Sequence, residues 1–268
     1  MFAKLFKHEF LATWRTLATV VGVVFGVSLT LLIPAWLHIP IAGGAGRTLS
    51  MFGFMCGGVI VAILLAINYW RTMYSGPGYF THSLPARGST IFAAKVTYAV
   101  LTVLVAWVLS VALAILLPGR AAGGDVWTQL VQIWDQMTQV VSVGTIWMII
   151  AVMLVVYGAQ FVVYLCGITL GTRGALGRLG LGGVAIGLVI AYFACQILTA
   201  IVLVAVPLGI RIAEPGIGDV VFKSMGTEIF RNQTPDVFGI GWLPAYILLA
   251  IVASIFAAHS VEKHTNLA

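Results

Sequence analysis

Residues 49–70 read LSMFGFMCGGVIVAILLAINYW, a stretch without a single charged side chain. A helix of this length spans about 30 Å, which is the thickness of the hydrocarbon core of a bilayer. Only helices and closed barrels satisfy their backbone groups in lipid, and barrel strands alternate over about ten residues. Comparable apolar runs occur at 17–37, 91–117, 142–170, 181–206 and 238–258. The sequence therefore predicts an all-α integral membrane protein with six transmembrane helices.

The composition supports this fold class. Of 268 residues, 61% are hydrophobic and 8% are charged, and the mean hydropathy is +1.07, whereas soluble domains carry about 25% charged residues. These values exclude a soluble enzyme domain, a nucleic-acid-binding module, a disordered regulator and a secreted disulfide scaffold. The three cysteines, Cys56, Cys166 and Cys195, all fall within predicted spans, so we expect them to be buried free thiols.

The distribution of charge predicts the orientation. With the N-terminus in the cytoplasm, the inner segments hold nine basic and two acidic side chains, and the outer segments hold five basic and six acidic ones. Because Lys and Arg gather on the cytoplasmic side, we expect both termini to be cytoplasmic and the chain to lie in the cell membrane. The basic, aromatic opening lacks a nearby small-residue cleavage site, so no removable signal peptide is expected.

The first sixteen residues form an amphipathic pattern. Phe6, Phe10 and Trp14 fall on one helical face, and Lys4, Lys7, His8 and Arg15 fall on the other. This pattern predicts an interfacial helix over residues 1–16, either a plain lipid anchor or an elbow that transmits movement into the first span. Glu9 falls on the apolar side, where a carboxylate needs a hydrogen-bond donor or must reach water.

The predicted inner loop, residues 71–95, places Tyr79 and Phe80 between two turn-rich stretches. It predicts a short exposed helix whose aromatic side chains either anchor in a partner's groove or belong to an interfacial aromatic belt. The predicted extracellular segments are 118–141 and 207–237. The first contains an amphipathic helix behind Asp125, a candidate N-cap, and a surface-lying lid is favoured over a receptor site.

The predicted spans contain no Asp, Glu or Arg, and Lys95 lies near the inner end of the third, where we expect it to snorkel. Central charges are kept where ions or protons are carried, so their absence argues against an ion-coupled carrier. Asn68, Gln160 and Gln196 either form interhelical hydrogen bonds or line a substrate path. GxxxG spacings, which let helices approach closely, occur at Gly22/Gly26, Gly53/Gly57, Gly167/Gly171 and Gly183/Gly187.

The sequence contains no HExxH, CxxC or GxxxxGK[ST] motif. It therefore offers no evident metal site and no P-loop for ATP, and we do not expect the chain to be an enzyme. If the protein is a pump, the energy must enter through a partner subunit.

Two segments, KLFKHEFLATWRTL at the N-terminus and GYFTHSLPARGSTIFAAK before the third span, resemble the permease subunits of type 2 ABC exporters. The likeness extends over the whole plan, including the six spans and cytoplasmic termini. It implies a homo- or heterodimer of permeases in membrane lipid, carrying two separate ATP-binding cassette subunits that bind ATP and Mg. It also implies ATP-driven export, and the uncharged membrane centre suits an amphipathic or hydrophobic cargo such as a peptide, a drug or a lipid.

By position in this family, the segment Tyr79, Phe80, Thr81, His82, Ser83 and Leu84 resembles the coupling helix that docks on the cassette. Residues 2–15 resemble the connecting helix beside it. Many relatives carry an acidic residue where this chain has Pro77. The first, second and fifth spans usually border the path in such folds, which favours Asn68 and Gln196 over Gln160. Two other interpretations remain open: an ATP-independent carrier or channel, and a membrane-embedded enzyme or assembly factor.

Overall fold

A computed structural model describes residues 1–76, 78–79, 83, 87–121, 125–140, 142–211, 220–226 and 237–263. About 86% of the described residues are helical. Within these ranges, six helices are long and apolar enough to cross a membrane, which confirms the predicted multi-pass helical architecture.

The helices follow the chain in a simple order. They are α1 (Phe2–Thr30), α2 (Ile33–Trp36), α3 (Pro40–Tyr74), α4 (Gly88–Ala121), α5 (Val126–Val140), α6 (Val143–Gly171), α7 (Gly174–Gly177), α8 (Leu181–Ala205) and α9 (Trp242–Lys263). Three short strands, β1 (Gly209–Arg211), β2 (Val220–Val221) and β3 (Val237–Gly239), lie between α8 and α9.

The chain divides into two units, and the boundary falls within α5. Unit 1 covers Met1–Asp135 and unit 2 covers Gln136–Asn266. In unit 1, α3 packs along both α1 and α4, and α1 also contacts α4. In unit 2, α6, α8 and α9 contact one another pairwise. Each unit therefore contains three of the six long helices.

The first helix is continuous. The predicted interfacial helix over 1–16 and the predicted span from residue 17 form one helix from Phe2 to Thr30. No Gly or Pro lies near the expected junction, ATWRTLATV, so nothing in the local sequence favours a break there. The interfacial position of residues 1–16 stays a prediction.

The second and third long helices extend into the segment predicted as a loop. Helix α3 ends at Tyr74 and α4 begins at Gly88, so the connection between them is residues 75–87 rather than 71–95. Helix α3 has 35 residues and is about 52 Å long. It starts with Pro40, whose missing N–H costs nothing in the first turn of a helix.

Glycines set the close approach of α6 and α8. A Cβ added to Gly167 would meet Ala191 and the backbone of Gly187, and one added to Gly171 would collide with the backbone of Gly183. The two GxxxG spacings of this unit therefore face each other directly. Of the other two, Gly53/Gly57 lies against Ser28 and Phe25 of α1, whereas a Cβ at Gly22 or Gly26 would meet nothing within 4 Å.

The segment after α8 departs from the all-α prediction. Strand β1 pairs antiparallel with both β2 and β3, in the order β2-β1-β3. The sixth span was predicted from Phe238, but this residue belongs to β3, and α9 begins at Trp242. Hydropathy alone cannot separate a short buried strand from the start of a helix.

The sheet segment packs on the end of α8. The Ser224 hydroxyl donates a hydrogen bond to the Val204 carbonyl, 2.5 Å away, and a Cβ on Gly239 would meet the Leu203 carbonyl. These contacts use carbonyl groups of the last helical turn, which have no partner within the helix. The segment therefore covers one end of α8.

Asp125 is the predicted cap of α5. Its carboxylate accepts hydrogen bonds from the Trp127 N–H at 3.2 Å and from the Thr128 hydroxyl at 2.7 Å, which confirms the prediction. The Thr128 hydroxyl, followed by the Trp127 N–H, lowers the pKa of Asp125 below 3.8. The cap is therefore formed at neutral pH and is lost only as the pH falls through this lowered pKa.

The cysteines differ in exposure. All three are free, and Cys166 and Cys195 are buried as predicted, whereas Cys56 is exposed on α3. The prediction was wrong for Cys56 because a residue within a membrane span faces either lipid or protein, and hydropathy is high in both cases.

Replacing Gly187 with Ala should destabilise unit 2 by about 1–3 kcal/mol, because the added methyl group overlaps the Gly167 carbonyl. Gly22→Ala is the matched control, since it occupies the same GxxxG spacing but points into open space. The measurement is the free energy of unfolding in detergent micelles by SDS titration. Equal losses for the two variants would contradict the helix contact.

Candidate functional site

Polar side chains of three helices meet near one end of unit 1. We call this group the basal cluster; it consists of the side chains of Glu9 and Thr13 on α1, Thr72 on α3, and Lys95 and Tyr98 on α4, together with the backbone carbonyl of Asn68 on α3. Thr72 lies two residues before the end of α3, and Lys95 lies about 10 Å along α4 from its first residue. The cluster therefore adjoins the 75–87 connection.

A buried ion pair is the centre of the cluster. Lys95 Nζ lies 2.5 Å from Glu9 Oε1, and the two side chains are 7% and 12% exposed. Glu9 lies on the apolar side of α1, where its carboxylate needs a hydrogen-bond donor, and Lys95 is that donor. The expectation that Lys95 snorkels was wrong, because an available carboxylate inside the bundle compensates its charge better than a stretched path to water.

The same ammonium group reaches the third helix. Lys95 Nζ donates to Thr72 Oγ1 at 2.9 Å, and the Thr72 hydroxyl donates to the Asn68 carbonyl at 2.7 Å. One lysine side chain therefore connects α4 to both α1 and α3.

Two further contacts join α1 to α4. Thr13 Oγ1 donates to the Glu9 carbonyl at 2.8 Å and also lies within hydrogen-bond distance of the Tyr98 hydroxyl. Because the Thr13 hydrogen is used on the carbonyl, Tyr98 is the donor in the second bond. The Phe6 ring meets the Tyr98 ring edge-on, with centroids 5.5 Å apart.

Helical spacing explains why these residues meet. Glu9 and Thr13 are four residues apart and Lys95 and Tyr98 are three apart, so each pair shares a helical face. Of the predicted elbow residues, Phe6 and Glu9 face the bundle, whereas Phe10 and Trp14 are 51% and 43% exposed. The predicted aromatic face of α1 is thus divided between protein and surroundings.

Part of the predicted coupling segment is described. Tyr79 is 60% exposed, Ser83 is exposed, and the Ser83 N–H donates to the Tyr79 carbonyl at 3.0 Å. The other predicted coupling residues, Phe80, Thr81, His82 and Leu84, lie outside the described residues.

An aromatic contact joins the helices that flank this segment. The Tyr69 ring lies 6.0 Å from that of Tyr74 and 6.5 Å from that of Phe92, measured between centroids. All three side chains are buried. The end of α3, which precedes the connection, is therefore in direct aromatic contact with the start of α4, which follows it.

The predicted path residues occupy different surroundings. Asn68 is half-buried in unit 1. In unit 2, Gln160 donates to the Tyr164 hydroxyl at 2.6 Å and Gln196 donates to the Tyr192 hydroxyl at 3.0 Å. Each of these bonds lies within one helix at i,i+4 spacing, so neither is the interhelical bond weighed from the sequence.

The sequence contains a carboxylate at Glu9 and a cation in the third span, but its helical patterns do not indicate that the two side chains pair. The opposite charges of Glu9 and Lys95 could have indicated the pair, because each is a single charged side chain on an otherwise apolar helix surface. Within the described part of the chain, no group of three or more His, Cys, Asp or Glu side chains could hold a metal ion.

Replacing Lys95 with Met should cost about 3–5 kcal/mol in unfolding free energy, because the substitution leaves the Glu9 carboxylate buried without its cation. Adding Glu9→Gln to this variant should recover part of the loss, since no buried charge then remains. Unfolding in detergent measures both variants against Lys7→Met, an exposed lysine on the same helix as Glu9. A double variant less stable than Lys95→Met alone would contradict the pairing.

The chain was compared with known proteins in three ways. No family model, no curated protein and no solved structure matches it. The case for a function therefore depends on the residues themselves and on the geometry of the basal cluster and the segment beside it.

Proposed function

We propose that the chain is the transmembrane subunit of an ATP-driven ABC exporter, coupled to a separate ATP-binding cassette subunit through the 75–87 connection. The observation that carries the proposal is the basal cluster: Lys95 joins the helices on both sides of this connection to α1. The resemblance of the N-terminal and 78–95 segments to such permeases supports the same assignment.

The arrangement suits the transfer of force. A partner that pushes on the exposed Tyr79 acts on a segment whose two flanking helices are joined by buried aromatic contacts and by Lys95. Packed elements move as units rather than deforming continuously. Helices α3 and α4 would therefore move together, and the Lys95–Glu9 pair would move the N-terminal part of α1 with them. Such a coupled movement is what a permease without its own ATP site requires.

In this mechanism, ATP-driven closure of two cassettes moves the two connections of a permease dimer and switches access to a cavity between the subunits. The cargo is amphipathic or hydrophobic, because the charged groups of unit 1's cluster are paired with each other and lie near the helix ends. Asn68 and Gln196 are the first candidates for contacts with cargo, and Gln160 is the next. The chain lies in the cell membrane with both termini in the cytoplasm.

An ATP-independent carrier or channel is the second candidate function. A six-helix architecture is compatible with it, and it requires no docking surface at Tyr79. The discriminating experiment first identifies a candidate cassette ATPase by its GxxxxGK[ST] motif in a neighbouring reading frame, and then compares transport in liposomes that contain this chain alone with transport in liposomes that also contain that ATPase. Transport by the chain alone at the same rate would overturn the exporter proposal.

Tyr79→Ala should weaken binding of the cassette ATPase by roughly thirtyfold, the effect of losing about 2 kcal/mol from an aromatic anchor. The measurement is the dissociation constant of the detergent-solubilised chain with the purified ATPase, together with the stimulation of ATP hydrolysis. The matched control is Trp127→Ala, which removes another highly exposed aromatic side chain, from α5.

Unchanged binding by Tyr79→Ala, or equal loss by both variants, would count against the coupling assignment. Accessibility gives an independent check: a cysteine at position 79 in a variant lacking Cys56 should react with a membrane-impermeant maleimide only in inverted vesicles. Reaction in intact cells would place the segment outside and overturn the proposal.

A further inference from the structure

A cleft of about 310 Å³, lined by both polar and apolar side chains, opens between α1 and α3 beside the basal cluster. Its lining includes Thr16 and Leu17 on α1, and Leu64, Asn68 and Arg71 on α3. Thr13 and Thr72 form part of its wall and belong to the basal cluster. The cleft lies within unit 1.

Three side chains of the lining have unused hydrogen-bonding capacity. Within the described part of the chain, the hydroxyl of Thr16, the amide of Asn68 and the guanidinium of Arg71 form no side-chain hydrogen bond or ion pair. Arg71 and Thr16 are exposed and Asn68 is half-buried. A planar guanidinium with neighbouring hydroxyl and amide donors matches the oxygen atoms of a phosphate group.

The charge balance of the cleft favours an anion. Glu9 is the acidic side chain of the basal cluster beside the cleft, and its charge is compensated by Lys95. Among the described residues, none compensates Arg71, which therefore supplies one positive charge at the edge of the cleft. A singly charged phosphodiester would neutralise it without leaving a second charge to bury.

The surroundings favour a lipid as the source of this phosphate. Leu17 and Leu64 extend the lining with apolar surface, and Ile67 beside them is 46% exposed. Phe10 and Trp14 are exposed on α1 within two turns of Thr16, and aromatic side chains of this kind are enriched at the level of lipid headgroups. A headgroup in the cleft would leave its acyl chains along apolar helix surface, which a free phosphate would not use.

We propose that this cleft binds the phosphate of an anionic phospholipid, with Arg71 as the charged contact and with Thr16 and Asn68 as hydrogen-bonding contacts. Basic pockets between membrane helices recognise anionic headgroups by this chemistry. Asn68 is shared with the proposed cargo path, but lipid binding requires neither an ATPase nor transport, so the two proposals are tested separately.

The test is native mass spectrometry of the detergent-solubilised full chain titrated with phosphatidylglycerol or phosphatidylcholine. We expect phosphatidylglycerol to bind more tightly, and Arg71→Gln to weaken its binding about fivefold. Thr16→Val, which keeps the shape of the side chain, should weaken it about threefold through the lost hydrogen bond. The matched control is Arg15→Gln, since Arg15 is an exposed cation on α1 that lies over the Trp14 ring instead of lining the cleft.

The outcomes separate the alternatives. A loss confined to Arg71→Gln and Thr16→Val, with less than a twofold change for Arg15→Gln, supports the site. Equal losses for both arginine variants would show non-specific attraction to the basic surface and overturn it. Displacement of the lipid by inorganic phosphate at equal concentration would make the cleft a soluble-anion site, and equal binding of phosphatidylcholine would show that the cleft does not select an anionic lipid; either result overturns the proposal.

Discussion

The buried pair between Lys95 and Glu9 constrains the rest of unit 1. An ionised side chain in a low-dielectric interior is costly unless its partner stays within reach, so neither helix can rotate freely about its axis without separating the charges. The rotation of α1 that satisfies Glu9 also turns Thr13 and Phe6 towards Tyr98. It leaves Phe10 and Trp14 on the outside. One electrostatic requirement thus selects which face of an ambiguous amphipathic helix is internal.

The helices within unit 1 and those within unit 2 pack by different kinds of contact. Unit 1 combines its polar cluster with small residues where α3 crosses α1, whereas unit 2 uses facing glycines of α6 and α8 that bring the backbones into contact. Lipid provides little hydrophobic drive for helix association, so close packing and compensated polar groups supply the specificity. The polar contacts occur in unit 1, whose helices flank the exposed Tyr79. In the proposed mechanism, a coupled movement would begin at this residue.

The connection and the cleft use neighbouring parts of the same cluster. Thr72 receives a hydrogen bond from Lys95 and also lines the cleft. A headgroup at Arg71 and a partner at Tyr79 would therefore act on the same end of α3, one from the membrane side of the helix and one through the segment that follows it. Under both proposals, lipid composition would influence the binding of the partner, because two ligands that bias the same element are thermodynamically linked.

Hydropathy and helical periodicity determined the six long helices, the membrane setting and the Asp125 cap, because these depend on the composition of a continuous segment and on its neighbours three or four residues away. The tertiary structure alone decided that Glu9 pairs with Lys95, residues 86 positions apart, and that Cys56 faces outward. It also decided that Gly187 lies at a helix crossing while Gly22 does not, and that Phe238 belongs to a strand. Each of these features depends on which helix or strand lies opposite. Lipid and the protein interior are equally apolar, so the sequence of one apolar helix does not indicate which of the two each of its faces contacts.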